Sequence, residues 1–350
     1  MSKITAIATR VPPYKMSQQK AKEFVSEIFS GNNPDINRLL SVFDNSGIET
    51  RYFSCPVDWF KKSHTLSEKN EIYIKSSVSL SQEAALKAFY QAECLPEEID
   101  YIIYVNTTGL ATPSIDARLI NCLKLKNNIR RTPIWGLGCA GGVAGLAHAH
   151  HYLCGHPRDK VLLISAELCG LTFLPDDHSK SNLVATALFG EGAAAVLLTG
   201  DEVEAEGIGI VDTYSRFYPD SLDVMGWNIV SEGMQVVFAK RIPEIVETNA
   251  LSDFSEFLNQ NHLTLENIQH YIIHPGGKKV IEAYEKALSL SDGQFELARG
   301  ILRDYGNMSS VTVLFVLESY MRQYGINRGE LGIMSALGPG FSSESLLLKL

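Results

Sequence analysis

Trp135-Gly-Leu-Gly-Cys139-Ala-Gly-Gly-Val-Ala-Gly-Leu146 sets one cysteine in a glycine-dense turn between two different periodicities. Thr132-Pro-Ile-Trp135 reads as a short apolar strand, and Gly141 to Leu153 is small, apolar and helical in spacing. Cys139 therefore falls beside a helix N-terminus, where unpaired N–H groups and the positive end of the helix dipole favour a thiolate. The expected consequence is a lowered thiol pKa and a nucleophile near neutral pH. A buried, inert cysteine fits the same turn. Gly136-x-Gly138-x-x-Gly141 also has the form of a dinucleotide-binding loop. That reading is set aside because the acid after the next strand (Lys160–Ser165) is Glu167, later than the usual ribose-binding position about twenty residues on.

The wider composition narrows the class. The chain has 350 residues, 45% apolar and 20% charged, enough for one large core or two fused ones. Its net charge of −9 argues against nucleic acid or an anionic membrane as the main partner, while leaving room for a local basic patch around an anionic small molecule. Six scattered cysteines (Cys55, Cys94, Cys122, Cys139, Cys154 and Cys169) form no CxxC pair, so free thiols in a reducing compartment are expected. The opening residues turn polar too soon for a signal peptide, and no apolar run reaches the roughly 18 residues of a membrane span. A cytoplasmic protein is the expectation.

Strand and helix patterns alternate along the chain, which indicates an α/β fold with layered helices. Strands are expected at Ile4–Ala8, Ile99–Val105, Val161–Ser165 and Ala193–Leu198, and helices at Gln18–Phe29, Leu80–Ala92 and Pro113–Lys124. The second half repeats the first. Glu97-x-Ile99-x-x-x-Ile103 matches Glu266-x-Ile268-x-x-x-Ile272 at an offset of 169, and Leu163-Ile-Ser165-Ala166 matches Ile333-Met-Ser335-Ala336 at 170. The same offset carries Cys139 onto Met308, within Gly306-Asn307-Met-Ser-Ser310, another glycine-containing turn that opens a helix (Ser309–Arg322). A duplicated chain of this kind faces its two equivalent turns across a pseudo-twofold axis and so brings Asn307 close to Cys139. The strand Tyr271-Ile-Ile-His274 runs into Pro275-Gly-Gly277 and delivers a histidine at a strand C-terminus, where α/β sites lie. Two halves are expected, residues 1–215 with the cysteine and 216–350 with the histidine and asparagine.

Cysteine, histidine and asparagine in one pocket suit acyl transfer. His274 can pair with the Cys139 thiol as thiolate and imidazolium, and Asn307 can donate its amide to a developing oxyanion. Taken singly, His274 reads equally as a structural histidine and Asn307 as a turn residue. The repeat is what predicts their proximity.

Gly138-Cys139-Ala-Gly-Gly142, His274-Pro-Gly-Gly277, Gly306-Asn307-Met-Ser-Ser310 and Gly338-Pro339-Gly-Phe341, in this order over nearly the whole chain, resemble the type III polyketide synthases, the chalcone synthase-like branch of the thiolase fold. The stretches around Trp135 and Thr107-Thr-Gly-Leu-Ala-Thr-Pro-Ser114 look more like bacterial members than plant ones. The resemblance implies a thiolase-like αβαβα five-layer fold and a homodimer, with acyl-CoA and malonyl-CoA as substrates and no other cofactor. It implies that Cys139 carries the starter acyl group as a thioester. His274 and Asn307 would then stabilise the enolate formed by malonyl-CoA decarboxylation. Repeated Claisen extension and cyclisation to a pyrone or resorcinol-type product would follow; a ketoacyl synthase III-like enzyme stopping after one extension is the alternative. By the same resemblance Phe189 and Phe238 are gatekeepers, and Thr107, Thr108, Cys169, Thr172, Ser309, Gly338 and Pro339 belong to the substrate cavity. Thr112 would reach toward the partner subunit's cavity, and Arg51, Gly276 and Gly277 would contact CoA. Ala336-Leu337 and Cys169 depart from the plant pattern, which disfavours a flavonoid-type product and suits a long alkyl starter, as in bacterial alkylpyrone synthases.

His148, His150, His151, Cys154 and His156 look metal-rich, but they share the helix behind Cys139 without a second ligand group at the usual spacing. No metal site is expected.

Overall fold

The computed structural model describes residues 1–29, 39–290, 293–325 and 329–350. Its strands are β1 (Ser2–Arg10), β2 (Tyr14–Ser17), β3 (Thr50–Phe53), β4 (Tyr101–Asn106), β5 (Arg130–Trp135), β6 (Lys160–Leu168) and β7 (Glu191–Thr199) in the first part of the chain. They continue with β8 (Ile208–Phe217), β9 (Met225–Val230), β10 (Gly233–Phe238), β11 (His270–Ile273), β12 (Leu331–Gly338) and β13 (Ser342–Lys349). Nine of them form one mixed sheet in the order β11-β12-β13-β8-β1-β7-β6-β4-β5.

The duplication expected from sequence is written in this order. β4 runs parallel to β6, which is antiparallel to β7, which is antiparallel to β1. β11 runs parallel to β12, which is antiparallel to β13, which is antiparallel to β8. The two four-strand runs join through the β1–β8 pairing of Ser2, Lys3 and Ile4 with Ile210, Gly209 and Ile208. The expected division between residues 215 and 216 falls inside β8, which pairs with β13 from Gly209 to Phe217. The halves therefore meet ahead of β8, since splitting a strand would break its ladder.

The central strands are apolar on both faces, as strands covered on both sides must be. Along β6, Val161 and Leu163 enter one core cluster while Leu162 and Ile164 enter the other. This is the period of two that strand geometry imposes. The Leu66–Gln91 helix covers one face, packing on β1, β6 and β7. It begins fourteen residues before the expected Leu80 start, at a Thr65/Glu68 capping box. The Gly141–Gly155 helix lies on the other face, against β4 and β6 of its own half and β12 and β13 of the other. Its glycines and alanines are buried nearly all round, as expected of a helix held between layers. Its equivalent, the Thr312–Tyr324 helix, packs beside it, each helix preceded by a tight turn (Gly138–Ala140 and Ser309–Val311). Among the described residues no helix is long and apolar enough to cross a membrane.

The two helices approach so closely that a Cβ built on Gly142 would stand 2.3 Å from the Ser310 carbonyl oxygen. Gly142→Val is expected to destabilise the protein by about 2 kcal/mol or more, because the obstacle is backbone and cannot yield. Gly155→Ala, at the far end of the same helix with nothing within 4 Å of the added carbon, is expected to stabilise by about 0.5 kcal/mol. Urea unfolding midpoints that are equal in the two variants would refute this account of the helix crossing.

Candidate active site

Cys139 sits in the Gly138–Ala140 turn, 6% exposed, at the start of the central helix. Two close contacts fix that turn. Gly138 has φ +48° and lies where a Cβ would meet the Pro339 ring at 2.5 Å, and a Cβ on Gly338 would meet Leu137 O at 2.3 Å. Gly338 and Pro339, expected to line the cavity, thus buttress the cysteine turn.

His274 follows β11 and is held by its N–H donating to Ser335 O at 2.9 Å. Its ring is 4% exposed, and neither Nδ1 nor Nε2 has a hydrogen-bond partner. Asn307 is braced on both sides of its backbone, its N–H donating to Leu188 O (2.8 Å) and its carbonyl accepting from Gly190 N–H (2.9 Å). The Asn307 amide is oriented by Nδ2 donating to Gly276 O (3.1 Å) and Oδ1 accepting from Ser309 N–H (2.8 Å). The Cys139 thiol points at Oδ1, with Sγ 4.0 Å away. Cys139, His274 and Asn307 line one cavity, closed by Met225, Phe238, Ile242, Gly276, Val280 and Leu337. The three residues that the repeat predicted to converge do so.

Burial dominates the electrostatics of this cavity. Desolvation pushes the Cys139 thiol up to about 12, against smaller opposing effects from Ser309 and Asn307, and pushes His274 down to about 3. The lowered thiol pKa expected from the helix terminus is therefore overturned: the loss of solvent outweighs the dipole, and the resting pair is thiol and neutral imidazole.

The remaining expected residues divide into groups. Phe238 lines the Cys139 cavity, whereas Phe189, Cys169 and Thr172 line a second, largely apolar cavity with Phe24, Phe53 and Phe60. Phe189 also forms a backbone bridge with Asn307. Thr107 and Thr108 belong to a network centred on Glu167. This fully buried carboxylate accepts from Thr107 N–H (3.0 Å), Thr108 Oγ1 (2.7 Å) and Ser310 Oγ (2.6 Å), and burial raises it to about 7. Ser309, with φ +50°, turns the chain so that its N–H meets Asn307. Thr112 is exposed, in an X-Pro cis peptide outside the cavity. Gly276 lines the cavity, and Gly277 begins the Lys278–Leu288 helix.

Arg51 departs from expectation. It is 1% exposed, and its guanidinium donates to Thr186 O, Phe189 O (2.9 Å) and Gln18 Oε1 (2.8 Å). A cation so enclosed ties the end of the Lys180–Leu188 helix to β3 and is not presented to a CoA phosphate. The histidine-rich helix face is likewise occupied: His150 bonds Ser2 Oγ and Cys154 Sγ, and His151 bonds Thr213 Oγ1. Sequence reasoning missed Glu167 as part of the site, although a lone carboxylate ending an apolar strand was the available signal. It also missed Met225, Ile242 and Val280, which look like ordinary core residues.

Residues 1–202 match the chalcone and stilbene synthases, N-terminal domain, and residues 209–350 match the C-terminal domain of the same enzymes. A putative chalcone synthase from Bacillus subtilis (strain 168) is 43% identical over 358 aligned positions, covering 99% of this chain and 98% of the relative. A 1,3,6,8-tetrahydroxynaphthalene synthase from Streptomyces peucetius subsp. caesius is 36% identical, covering 99% and 92%. The crystal structure of the Streptomyces coelicolor A3(2) 1,3,6,8-tetrahydroxynaphthalene synthase, a bacterial type III polyketide synthase, superposes with a TM-score of 0.94 at 26% identity over 99% of both chains. With both family domains matched in order along a thiolase-like fold, the chain belongs to the chalcone and stilbene synthases, the acyltransferases known as type III polyketide synthases.

Proposed function

We propose that the enzyme loads a fatty acyl group from acyl-CoA onto Cys139, extends it repeatedly with malonyl-CoA and releases a pyrone or resorcinol-type product, without a cofactor beyond these thioesters. The observation that carries this reading is the meeting of Cys139, His274 and Asn307 in one buried cavity, with both ring nitrogens of His274 free of protein partners.

Each side chain has a definable task. The Cys139 thiol gives its proton to the imidazole as Sγ attacks the starter carbonyl. The CoA thiolate leaves and takes that proton, so acyl-Cys139 forms without net charge in the cavity. For extension, a neutral His274 presents an N–H to the malonyl thioester oxygen. Either tautomer is accessible because neither ring nitrogen is engaged. Asn307 Nδ2 spends one hydrogen on Gly276 O and keeps the other for the same oxygen. Carbon dioxide departs, the electron pair collects on this oxygen as an enolate, and its carbon attacks the acyl-Cys139 carbonyl. The Cys139 thiolate is expelled and is free to accept the grown chain again. A dry cavity strengthens both donors at the moment charge develops. The alkyl starter is supported by the second cavity, where Phe24, Phe53, Phe60 and Phe189 offer apolar walls beside Cys169.

Cys139→Ala is expected to abolish polyketide formation while retaining release of carbon dioxide from malonyl-CoA, and Asn307→Ala to reduce that release by about 10²-fold or more. Condensation by the alanine variant at Cys139 would sink the assignment. Mass spectrometry of products from acyl-CoA starters of increasing chain length should show longer alkyl chains extended in preference to acetyl; exclusive use of malonyl-CoA as its own starter would overturn the fatty acyl reading. With the thiol held at about 12, alkylation of the Cys139 peptide by iodoacetamide should rise about tenfold per pH unit between pH 7 and 9. A rate already flat above pH 7 would mean a resting thiolate–imidazolium pair.

A further inference from the structure

The two cavities share a wall that lies outside the large sheet. β9 and β10 form a two-stranded ribbon of their own. Met225 and Phe238 stand directly opposite one another across it, and both line the Cys139 cavity. Val236, two residues before Phe238 and therefore on the same face, lines the second cavity. Trp227, opposite Val236, sets its ring 6.0 Å from that of Phe189, another lining residue of the second cavity. One face of the ribbon thus serves both the thiol and the space offered to a starter chain.

Two strands alone are marginal, so the ribbon takes its position from what grips it. Its open end is tied by Ala239 N–H donating to Val224 O (2.8 Å), and Gln235 Nε2 in its middle donates to Asp177 Oδ2 (3.2 Å). The turn at its tip is held by Lys69, whose Nζ donates to Glu232 O (3.1 Å) and also to Phe173 O (2.9 Å). Phe173 follows the Cys169–Thr172 turn, and Cys169, Thr172 and Phe173 all line the second cavity. One ammonium therefore joins two separate walls of that cavity. Nothing about its helix asks for a cation there. Lys69 lies near the N-terminus of the Leu66–Gln91 helix, where the dipole disfavours positive charge, and it is 5% exposed with no ion pair among the described residues. Burial lowers it to about 8, against a smaller opposing effect of Glu232. The next residue grips a third segment: Asn70 Nδ2 donates to Leu110 O (2.7 Å) and its Oδ1 accepts from Leu110 N–H (2.8 Å), in the loop that carries Thr107 and Thr108. The Thr65/Glu68 capping box fixes the helix start from which both side chains reach.

We propose that Lys69 is a positioning residue that pins the tip of the β9–β10 ribbon to the segment after Cys169, and that this pin sets which acyl chains the enzyme extends. This rests on the fatty acyl starter reading and assigns a residue to its selectivity. Lys69 acts through the ribbon. With the ammonium in place, Val236 and the Trp227–Phe189 contact keep the second cavity in one shape; without it, the ribbon tip shifts about its tied end and the cavity fits a broader range of chains. Cys139, His274 and Asn307 stand on other segments, so the chemical step is left to them.

The test compares the wild type with Lys69→Met, which keeps an unbranched stem and loses the ammonium, on hexanoyl-, decanoyl- and tetradecanoyl-CoA with malonyl-CoA as extender. The ratio of kcat/KM between the longest and shortest starters is expected to change by about fivefold or more, while release of carbon dioxide from malonyl-CoA stays within about twofold. Lys69→Arg, whose guanidinium can serve both carbonyls, should restore the wild-type ranking. Hydrogen exchange should show the backbone amides of residues 225–238 exchanging about tenfold faster in Lys69→Met, with the Gly141–Gly155 helix unchanged. Lys69→Gln, read by the same two measurements, decides the matter if Lys69→Met does not fold. An unchanged starter ranking, or an equal fall in decarboxylation and with every starter, would overturn the proposal and leave Lys69 a purely stabilising residue. If the wild type extends none of these starters, the fatty acyl reading fails, while exchange in the ribbon still judges the pin.

Discussion

Everything in the site depends on how near the two halves come at Gly142 and Ser310, where a helix start of one half rests on a backbone carbonyl of the other. That contact admits no side chain, and it sets the distance between the cysteine turn and the asparagine turn. Glu167 fastens the same junction from the side, taking hydrogen bonds from Thr107 and Thr108 of its own half and from Ser310 of the other. Ser310 also meets Ser165, the residue whose repeat counterpart is Ser335, whose carbonyl accepts the His274 N–H. The cysteine and asparagine turns are therefore placed by backbone and short polar side chains, which have little freedom to drift.

Desolvation is the second governing influence. The cavity withholds water from a thiol and an imidazole together, so each keeps its neutral form until substrate chemistry moves a proton between them. A neutral imidazole suits the decarboxylation step, which asks for a hydrogen-bond donor without a competing fixed charge. The cost is a less nucleophilic resting sulfur. Closure of the site thus favours the hydrogen-bond donor over the sulfur nucleophile.

The architecture and the meeting of Cys139, His274 and Asn307 were legible because they rest on local turn chemistry and on a repeat that survives as spacing. Cys139 and His274 each follow a strand and Asn307 follows the Glu296–Tyr305 helix at Gly306, boundaries marked in sequence by glycine and apolar runs. Arg51 was misread because nothing local reveals that Thr186 O, Phe189 O and Gln18 Oε1 converge on it from distant segments. Glu167 was passed over for the same reason, since its partners lie about sixty and 143 residues away. The thiol's protonation state was misjudged because a helix terminus shows in sequence while the exclusion of solvent is a property of the assembled layers. The division between halves slipped into β8 because that strand pairs with β13, whose residues come at the other end of the chain.

Phe189 shows how such a site can change its walls without moving its polar groups. Its backbone bridges Asn307, and its carbonyl is gripped by Arg51, while its side chain lines the neighbouring apolar cavity. Replacing the side chain alters the shape of that cavity but leaves the backbone links that hold the asparagine. Substitution at this position can thus remodel that cavity while the asparagine keeps its backbone partner. A scaffold built this way separates the walls of its cavities from the turns that hold its polar side chains.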